Sequence, residues 1–130
     1  MMVIDSSALM AILLDDPQAG AVADVMATAP SLSMSAGTLA EALIVARRRG
    51  VGAEMAALID GVGADIAPVT RAFAEAVADA YDRWGKGVHP ASLNFGDCFS
   101  YALAKEQGAA LLYVGNDFRH TDIPAALPPG

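Results

Sequence analysis

Short apolar runs alternate along this chain with longer segments in which apolar residues recur every three or four positions. The short runs predict β-strands at residues 2–4, 31–34, 66–69 and 110–114. The longer segments predict helices up to residue 14 and at residues 17–27, 36–49, 53–59, 71–83 and 95–107. Because strands that alternate with helices form βαβ units, we predict one α/β domain over residues 1–130, built on a parallel sheet. The tail, residues 124–130, is predicted to be an edge segment or loose chain.

Residues that favour helix N-caps stand before the predicted helices. Three of these helices follow a residue of this type: Ser35, Thr70 and Asn94. Ser6 or Ser7 is expected to cap the first helix. With Asn94 as a cap, Asp97 occupies the third helical position, where backbone N–H groups lack helical partners.

Composition limits the classes to which the protein can belong. Hydrophobic residues make up 55% of the 130 residues, which suffices for one core. No apolar run is long enough to span a bilayer, and the start of the chain has no basic segment typical of a signal peptide. The single Cys98 excludes an internal disulfide and a cysteine metal site, and we expect it to be buried. These features predict a reducing, cytoplasmic location without a membrane partner.

The net charge of −7 excludes nucleic-acid binding through a general basic surface. A nucleic-acid enzyme remains possible, because clustered acids that hold cations would account for much of the imbalance. The basic run Arg47–Arg49 is expected to be a solvated helix end, with a phosphate-binding patch as the alternative.

Four acidic residues stand where predicted strands or helices begin, turn or end: Asp5, Glu41, Asp97 and Asp117. Taken singly, each is explained as a cap, a surface residue or a turn residue. In a parallel sheet, however, Asp5 and Asp117 both lie at the edge where ligands bind. Carboxylates brought together there repel one another, and a divalent cation such as Mg²⁺ or Mn²⁺ removes that conflict. Such a site would activate water and polarise a phosphodiester.

The segments around these acids resemble the motifs of PIN domains. The likeness is carried, in chain order, by residues 3–8, 38–42, 85–101 and 115–118. The stretches 86–105 and 115–123 are the more specific ones, and the closest resemblance is to the VapC-type toxin ribonucleases. The resemblance covers essentially the whole chain.

This resemblance implies a three-layer PIN-like domain with a parallel sheet of about five strands. It also implies Mg²⁺- or Mn²⁺-dependent cleavage of RNA that leaves a 5′-phosphate and a 3′-hydroxyl. As partners it implies a second copy of the chain in a homodimer and a cognate antitoxin whose C-terminal segment masks the acidic pocket.

Residue by residue, Asp5, Glu41 and Asp97 match the core metal-binding acids of the family, and Asp117 matches the fourth acid. We expect Asp5 and Asp97 to be direct ligands, Glu41 to ligate or orient the attacking water, and Asp117 to complete the charge or hold an outer-shell water. Ser6 matches a Thr or Ser position of the family and is expected to hold Asp5 or a metal-bound water.

The bases nearest these motifs are candidates for phosphate contact: Lys86, His89, Arg119 and His120. The alternative is a loop made soluble by charge. Trp84 and Phe95 could stack on bases, although packing in the core is the more usual role of such residues, and it is the one we predict.

Two other functions remain open at this stage. The chain could be a non-catalytic subunit whose acids attract a basic peptide, or a nuclease that acts on DNA. A phosphate-accepting aspartate at Asp5 fits poorly, because Ser7 stands where such phosphatases need a second acid. A receiver domain also fits poorly, because no lysine directly follows the strand at residues 110–114.

Overall fold

The computed structural model describes residues 1–127, in which four strands form one parallel sheet. The strands are β1 (Met2–Ile4), β2 (Leu32–Ser35), β3 (Asp65–Ala67) and β4 (Ala110–Leu112). Their order across the sheet is β3-β2-β1-β4, and each neighbouring pair is parallel. In the register of the sheet, Val3 of β1 lies between Ser33 of β2 and Leu111 of β4. The predicted α/β class and parallel sheet are confirmed.

The strand count differs slightly from the prediction of about five, since four strands occur within residues 1–127. The tail meets β4 at an isolated parallel bridge between Ala125 and Leu111, which is too short to form a fifth strand. The predicted edge segment at residues 124–130 is therefore a single bridge in its described part, and residues 128–130 lie outside the described chain.

The strand order creates a crevice at one edge of the sheet. From β1 the chain adds β2 and then β3 on one side, and it later returns to add β4 on the other side. In open parallel sheets such a reversal leaves a ligand-binding crevice beyond the carboxyl ends of the two strands that flank it. These strands are β1 and β4, so the crevice lies beyond Ile4 and Leu112.

Six helices connect or follow the strands within the described residues. They are α1 (Ser6–Leu13), α2 (Ala19–Thr28), α3 (Ala36–Arg48), α4 (Gly52–Val62), α5 (Arg71–Trp84) and α6 (Phe95–Gln107). The three predicted N-caps are confirmed, because each side chain accepts a hydrogen bond from the first turn of its helix: Ser35, Thr70 and Asn94. The predicted cap of α1 was wrong. Asp5 is the cap and accepts from the Ser7 N–H group, while Ser6 and Ser7 already belong to the helix.

Hydrophobic cores lie on both faces of the sheet, because neighbouring residues of a strand point to opposite faces. One core joins Val3 and Leu111 to side chains of α5 and α6: Phe73, Val77, Trp84, Tyr101 and Leu103. The other joins Ile4 and Leu112 to side chains of α1, α3 and α4: Leu9, Ala42, Ala46 and Met55. None of the helices within residues 1–127 has the length and apolar character needed to cross a bilayer.

The predictions for three single residues had different outcomes. Cys98 is fully buried in the core beside α5, as expected. Trp84 is also a core residue. For Phe95 the prediction was wrong, because its side chain is 71% exposed. It begins α6, and most of its side chain faces solvent.

Candidate active site

The fold brings Asp5 and Asp117 to the crevice between β1 and β4. Asp5 directly follows β1, and its backbone N–H group donates to the Leu112 carbonyl at 3.0 Å, which extends the pairing of the two strands by one residue. Asp117 lies in the turn after β4 and is exposed. The next residue, Phe118, is buried and packs on Tyr113, so the turn is anchored beside the crevice.

The Asp5 carboxylate is held by hydroxyl groups from two helices. Its Oδ2 atom accepts from the Ser7 hydroxyl at 2.6 Å and from the Ser7 N–H group at 3.1 Å. Its Oδ1 atom accepts from the Ser100 hydroxyl of α6 at 2.6 Å. Asp5 is only 3% exposed, so these bonds replace most of the water that would otherwise solvate it.

A second layer of hydrogen bonds orients these hydroxyl groups. Since Ser100 gives its proton to Asp5, the 3.1 Å contact between Ser100 and Thr38 must have Thr38 as the donor. The chain therefore runs from Thr38 of α3 through Ser100 to Asp5. Ser7 accepts from the Val114 N–H group at 3.1 Å, which ties the other side of Asp5 to the end of β4.

Glu41 reaches the same region from α3. Its Oε1 atom accepts from the Ser6 hydroxyl at 2.9 Å. Its carboxylate also lies against Gly96 near the start of α6, so closely that a Cβ atom at position 96 would overlap Oε2. A larger residue at position 96 would therefore displace the Glu41 carboxylate.

Asp97 is fixed by the first turn of α6. Its N–H group donates to Asn94 Oδ1 at 2.8 Å, and its Oδ2 atom accepts from the Asn94 N–H group at 3.0 Å. This reciprocal pair is a capping box, which satisfies two backbone groups at the start of the helix. Because Oδ2 accepts a bond within the box, Oδ1 is the less occupied oxygen for a ligand.

Asp5, Glu41 and Asp97 lie close enough to neighbouring acids, Asp117 among them, for those charges to disfavour their ionisation. Burial raises the pKa of Asp97 to about 7, and the charges of Asp117, Asp5 and Glu41 add to the rise. Burial also raises the pKa of Asp5 and of Glu41, with smaller contributions from neighbouring acids. The ion pairs recorded within residues 1–127 join Arg83 and Lys105 to Asp122, away from these acids.

This arrangement fits a divalent cation by its donor set. Carboxylate oxygens are the ligands that Mg²⁺ and Mn²⁺ prefer, and four acids without a basic partner in the described chain leave a charge that a cation would neutralise. In residues 1–127 no three His, Cys, Asp or Glu side chains already stand in metal-ligating geometry. Binding would therefore draw the carboxylates closer together.

The candidate phosphate-binding bases have different surroundings. Lys86 and His120 are exposed. Arg119 is also exposed and donates to Asn116 Oδ1 at 3.4 Å, next to Asp117. His89 packs edge-on against Trp84, and its Nδ1 atom accepts from the Ala91 N–H group at 2.9 Å. Arg47–Arg49 form the exposed end of α3, which agrees with the solvated helix end that we expected.

Comparison with known proteins identifies the family. The family model "PIN domain" matches residues 2–124. Ribonuclease VapC30 of Mycobacterium tuberculosis is 44% identical over 131 residues, an alignment that covers 98% of this chain and 100% of the relative. The chain belongs to the VapC-type PIN-domain family. Ribonuclease VapC of Mycolicibacterium smegmatis is 43% identical over 127 residues and is matched over 98% of its length, with 95% of this chain covered.

Solved structures share the fold of this VapC-type chain. VapC20 of Mycobacterium tuberculosis, described as a Sarcin-Ricin loop cleaving toxin, superposes with a TM-score of 0.80 at 19% identity and covers 98% of this chain and 100% of its own. A chain of a toxin–antitoxin complex from Klebsiella pneumoniae superposes with a TM-score of 0.70 at 15% identity, and the alignment covers 94% of this chain and 93% of that chain. At these identities the likeness concerns the fold alone.

Sequence reasoning missed several residues of this VapC-type site. Ser6 was expected to hold Asp5 or a metal-bound water, whereas its hydroxyl is bonded to Glu41. Ser7 and Ser100 hold Asp5, and Thr38 supports Ser100. Spacing along the chain gave no signal for Ser100, because it meets Asp5 across 95 residues.

Proposed function

We propose that this protein is a Mg²⁺- or Mn²⁺-dependent endoribonuclease, the toxin of a toxin–antitoxin pair, with residues 1–130 acting as one nuclease domain in the cytoplasm. The observation that carries the proposal is that Asp5, Glu41 and Asp97 lie near one another and near Asp117 at the sheet crevice. Burial, with the charges of these neighbouring acids adding to it, raises the pKa of Asp97 there to about 7. Relatives named ribonucleases support the RNA-cleaving activity.

In this proposal Asp5 and Asp97 bind the metal directly. Asp117 adds the remaining negative charge of the site or holds an outer-shell water. A bound Mg²⁺ or Mn²⁺ would polarise the scissile phosphate and lower the pKa of a water molecule. Asp5 contributes a carboxylate whose orientation is set by Ser7 and Ser100. Because the capping box fixes the Asp97 side chain, the oxygen offered by α6 is set before any ligand arrives.

Glu41 is the residue that we assign to the attacking water. Its Oε1 atom is bonded to Ser6, so Oε2 is the atom that receives the proton. Burial raises the pKa of Glu41, which makes its carboxylate a better proton acceptor near neutral pH. Ser6 is therefore a positioning residue in this proposal.

Substrate contacts are proposed for the bases on the adjoining loops. Lys86 and Arg119 are exposed and would contact phosphate groups on either side of the cut. His89 contributes through Nε2, because its Nδ1 atom is already bonded within its loop.

We also propose two protein partners, a cognate antitoxin and a second copy of the chain. The uncompensated acids of the crevice would attract a basic segment of the antitoxin. That segment would cover the metal site and prevent RNA from reaching it. The antitoxin proposal is supported by the likeness in fold to a chain of the Klebsiella pneumoniae toxin–antitoxin complex. Light scattering of the purified protein, alone and with the antitoxin, tests both assemblies.

A cleavage assay on a pool of cellular RNA tests the activity. The parent protein and Asp5→Asn, Asp97→Asn and Asp79→Asn variants are incubated with EDTA, Mg²⁺ or Mn²⁺, and a single-stranded DNA pool is run in parallel. We expect discrete RNA cuts that require metal and disappear in the first two variants. Asp79 lies on the exposed side of α5, so its variant should keep full activity. Cleavage that survives Asp97→Asn, or that prefers DNA, would contradict the proposal.

A further inference from the structure

Phe95 is the most exposed large apolar side chain in the described part of the chain, at 71%. It begins α6, between the cap Asn94 and Gly96. Gly96 lies against the Glu41 carboxylate, and consecutive Cα atoms are about 3.8 Å apart. Phe95 thus directly precedes the residue against which Glu41 packs, and a folded chain gains nothing by exposing its apolar ring to water.

The ring of Phe95 is held by a second aromatic ring. Its centroid lies 5.0 Å from that of Phe99, and the two planes are nearly perpendicular at 86°. Phe99 in turn packs so closely on Gly37 of α3 that any larger residue at position 37 would overlap it. In an edge-to-face pair at least one face of Phe95 stays open, so the ring is both oriented and available for stacking.

A groove between α5 and α6 continues from this ring. It has a volume of about 490 Å³, and the residues that line it include Val77, Ala78, Tyr81, Asp82, Phe95 and Cys98. Tyr81 is a second aromatic residue at the groove and is 38% exposed. The volume falls in the range of roughly 300–1,000 Å³ typical of small-molecule sites.

The chemistry of the groove selects its occupant. Among the described residues that line it, the charged one is Asp82, and no Lys or Arg is present. A phosphate would be repelled, whereas a flat aromatic ring could stack on Phe95. A carboxylate accepts hydrogen bonds and cannot donate them. An exocyclic amino group offers two N–H donors, whereas uracil offers only its N3–H, so Asp82 favours a base that carries such an amino group.

We propose that the α5–α6 groove is a nucleobase subsite, in which Phe95 stacks on a base next to the scissile phosphate and Asp82 accepts from its amino group. This inference rests on the proposed ribonuclease function and deepens it by adding a specificity-determining site. It predicts a preference for adenine, cytosine or guanine over uracil at one position beside the cut.

The test combines cleavage kinetics with a stacking measurement on the full-length protein. Short single-stranded RNAs that differ in one base beside the cut are compared on the parent and on Phe95→Ala, Phe95→Tyr and Asp82→Ala variants. The matched controls are Ile44→Ala, an exposed apolar residue of α3, and Asp79→Ala, an exposed acid of α5. In a parallel measurement, 2-aminopurine replaces the base beside the cut, and the quenching of its fluorescence is followed by stopped flow in the presence of Mg²⁺. The quenching reports stacking of that base before cleavage. Mn²⁺ affinity and light scattering are measured on each variant.

We expect Phe95→Ala to lower kcat/KM and RNA affinity roughly 5- to 150-fold and to abolish the quenching, since base stacking on aromatic side chains has this effect on affinity. Phe95→Tyr should keep both properties, and Mn²⁺ affinity should not change. Asp82→Ala should remove a preference against uracil of roughly 5- to 150-fold. The control variants should behave as the parent.

Three results would overturn the inference while leaving the ribonuclease intact: Phe95→Ala cleaves as the parent does, its Mn²⁺ affinity falls together with its activity, or its oligomeric state changes. The last would make the groove a protein contact. If the parent cleaves no RNA, the proposed function fails, and the quenching decides the groove alone. Quenching that needs Phe95 would support the base subsite, and its absence would refute it.

Discussion

The Ser100 hydroxyl of α6 donates to the Asp5 carboxylate at a distance of 2.6 Å, across 95 residues of sequence. Through this bond the helix that carries Asp97 also sets the orientation of the acid at the end of β1. Thr38 of α3, the helix that carries Glu41, donates in turn to Ser100. One buried chain of hydroxyl groups therefore links the elements that present three of the four acids.

Replacement of Ser100 by alanine tests this link. Loss of its hydroxyl leaves Asp5 Oδ1 and the Thr38 hydroxyl without a buried partner, which should lower the free energy of unfolding by about 1–3 kcal/mol. It should also raise the pKa of Asp5 further and so weaken Mn²⁺ binding. Urea unfolding and Mn²⁺ titration measure the two effects. Thr38→Ser keeps the hydroxyl and loses only a buried methyl group, so it serves as the control for Mn²⁺ binding. An unchanged Mn²⁺ affinity in Ser100→Ala would show that the bond does not position Asp5.

The raised pKa of Asp97 predicts that the metal-free protein loses stability as pH rises. An acid whose pKa is higher in the folded state than in the unfolded state keeps its proton longer when folded, so unfolding becomes easier between about pH 4 and the folded pKa near 7. Asp97→Asn should remove much of this dependence of the unfolding free energy on pH. It should also stabilise the metal-free protein at pH 7 by up to about 4 kcal/mol.

Thermal unfolding in EDTA at several pH values measures this effect. Asparagine can still accept from the Asn94 N–H group, so the capping box should survive the substitution. The stability of the variant should still fall somewhat as pH rises, because burial also raises the pKa values of Asp5 and Glu41. A variant less stable than the parent at pH 7 would contradict the prediction.

Metal binding should release protons for the same reason. Below about pH 7 Asp97 is protonated in the metal-free protein, and a cation must displace that proton. Mn²⁺ affinity should therefore rise from about pH 5 to about pH 7 and then level off. Calorimetric titration in buffers of different ionisation enthalpy counts the released protons. An affinity that does not depend on pH over this range would mean that Asp97 is already ionised.

Gly96→Ala should move Glu41 without removing any functional group. The added methyl group would overlap the Glu41 Oε2 atom, so the carboxylate must shift away from α6. We expect a loss of activity of at least about tenfold, since small displacements of reacting groups are costly. RNA cleavage rates and Mn²⁺ affinity provide the measurements.

Gly61→Ala in α4 is the matched control for this substitution. Its Cβ atom would meet nothing within 4 Å, so the change should be neutral or stabilising by about 0.5–1 kcal/mol. If Gly96→Ala retained the activity of the parent, the proton-accepting role of Glu41 would need to be reassigned.

Several features could be predicted because they depend on neighbouring residues. The caps Ser35, Thr70 and Asn94 satisfy backbone groups two or three residues further on. The capping-box position of Asp97 follows from its spacing to Asn94 for the same reason. In contrast, α1 is capped by Asp5 rather than by a serine, because the helix starts directly after β1 and the aspartate already occupies the cap position.

The sequence by itself determined the α/β class, the parallel sheet and three of the helix caps, and it singled out the four candidate acids, since apolar periodicity and capping are local properties. Only the tertiary structure decided which hydroxyl groups hold Asp5, that Ser6 serves Glu41, and that Phe95 lies open beside a groove. Those contacts join residues as far apart as Asp5 and Ser100. Their partners are selected by the packing of helices on the sheet, and side-chain packing across such separations leaves no periodic signal in the chain.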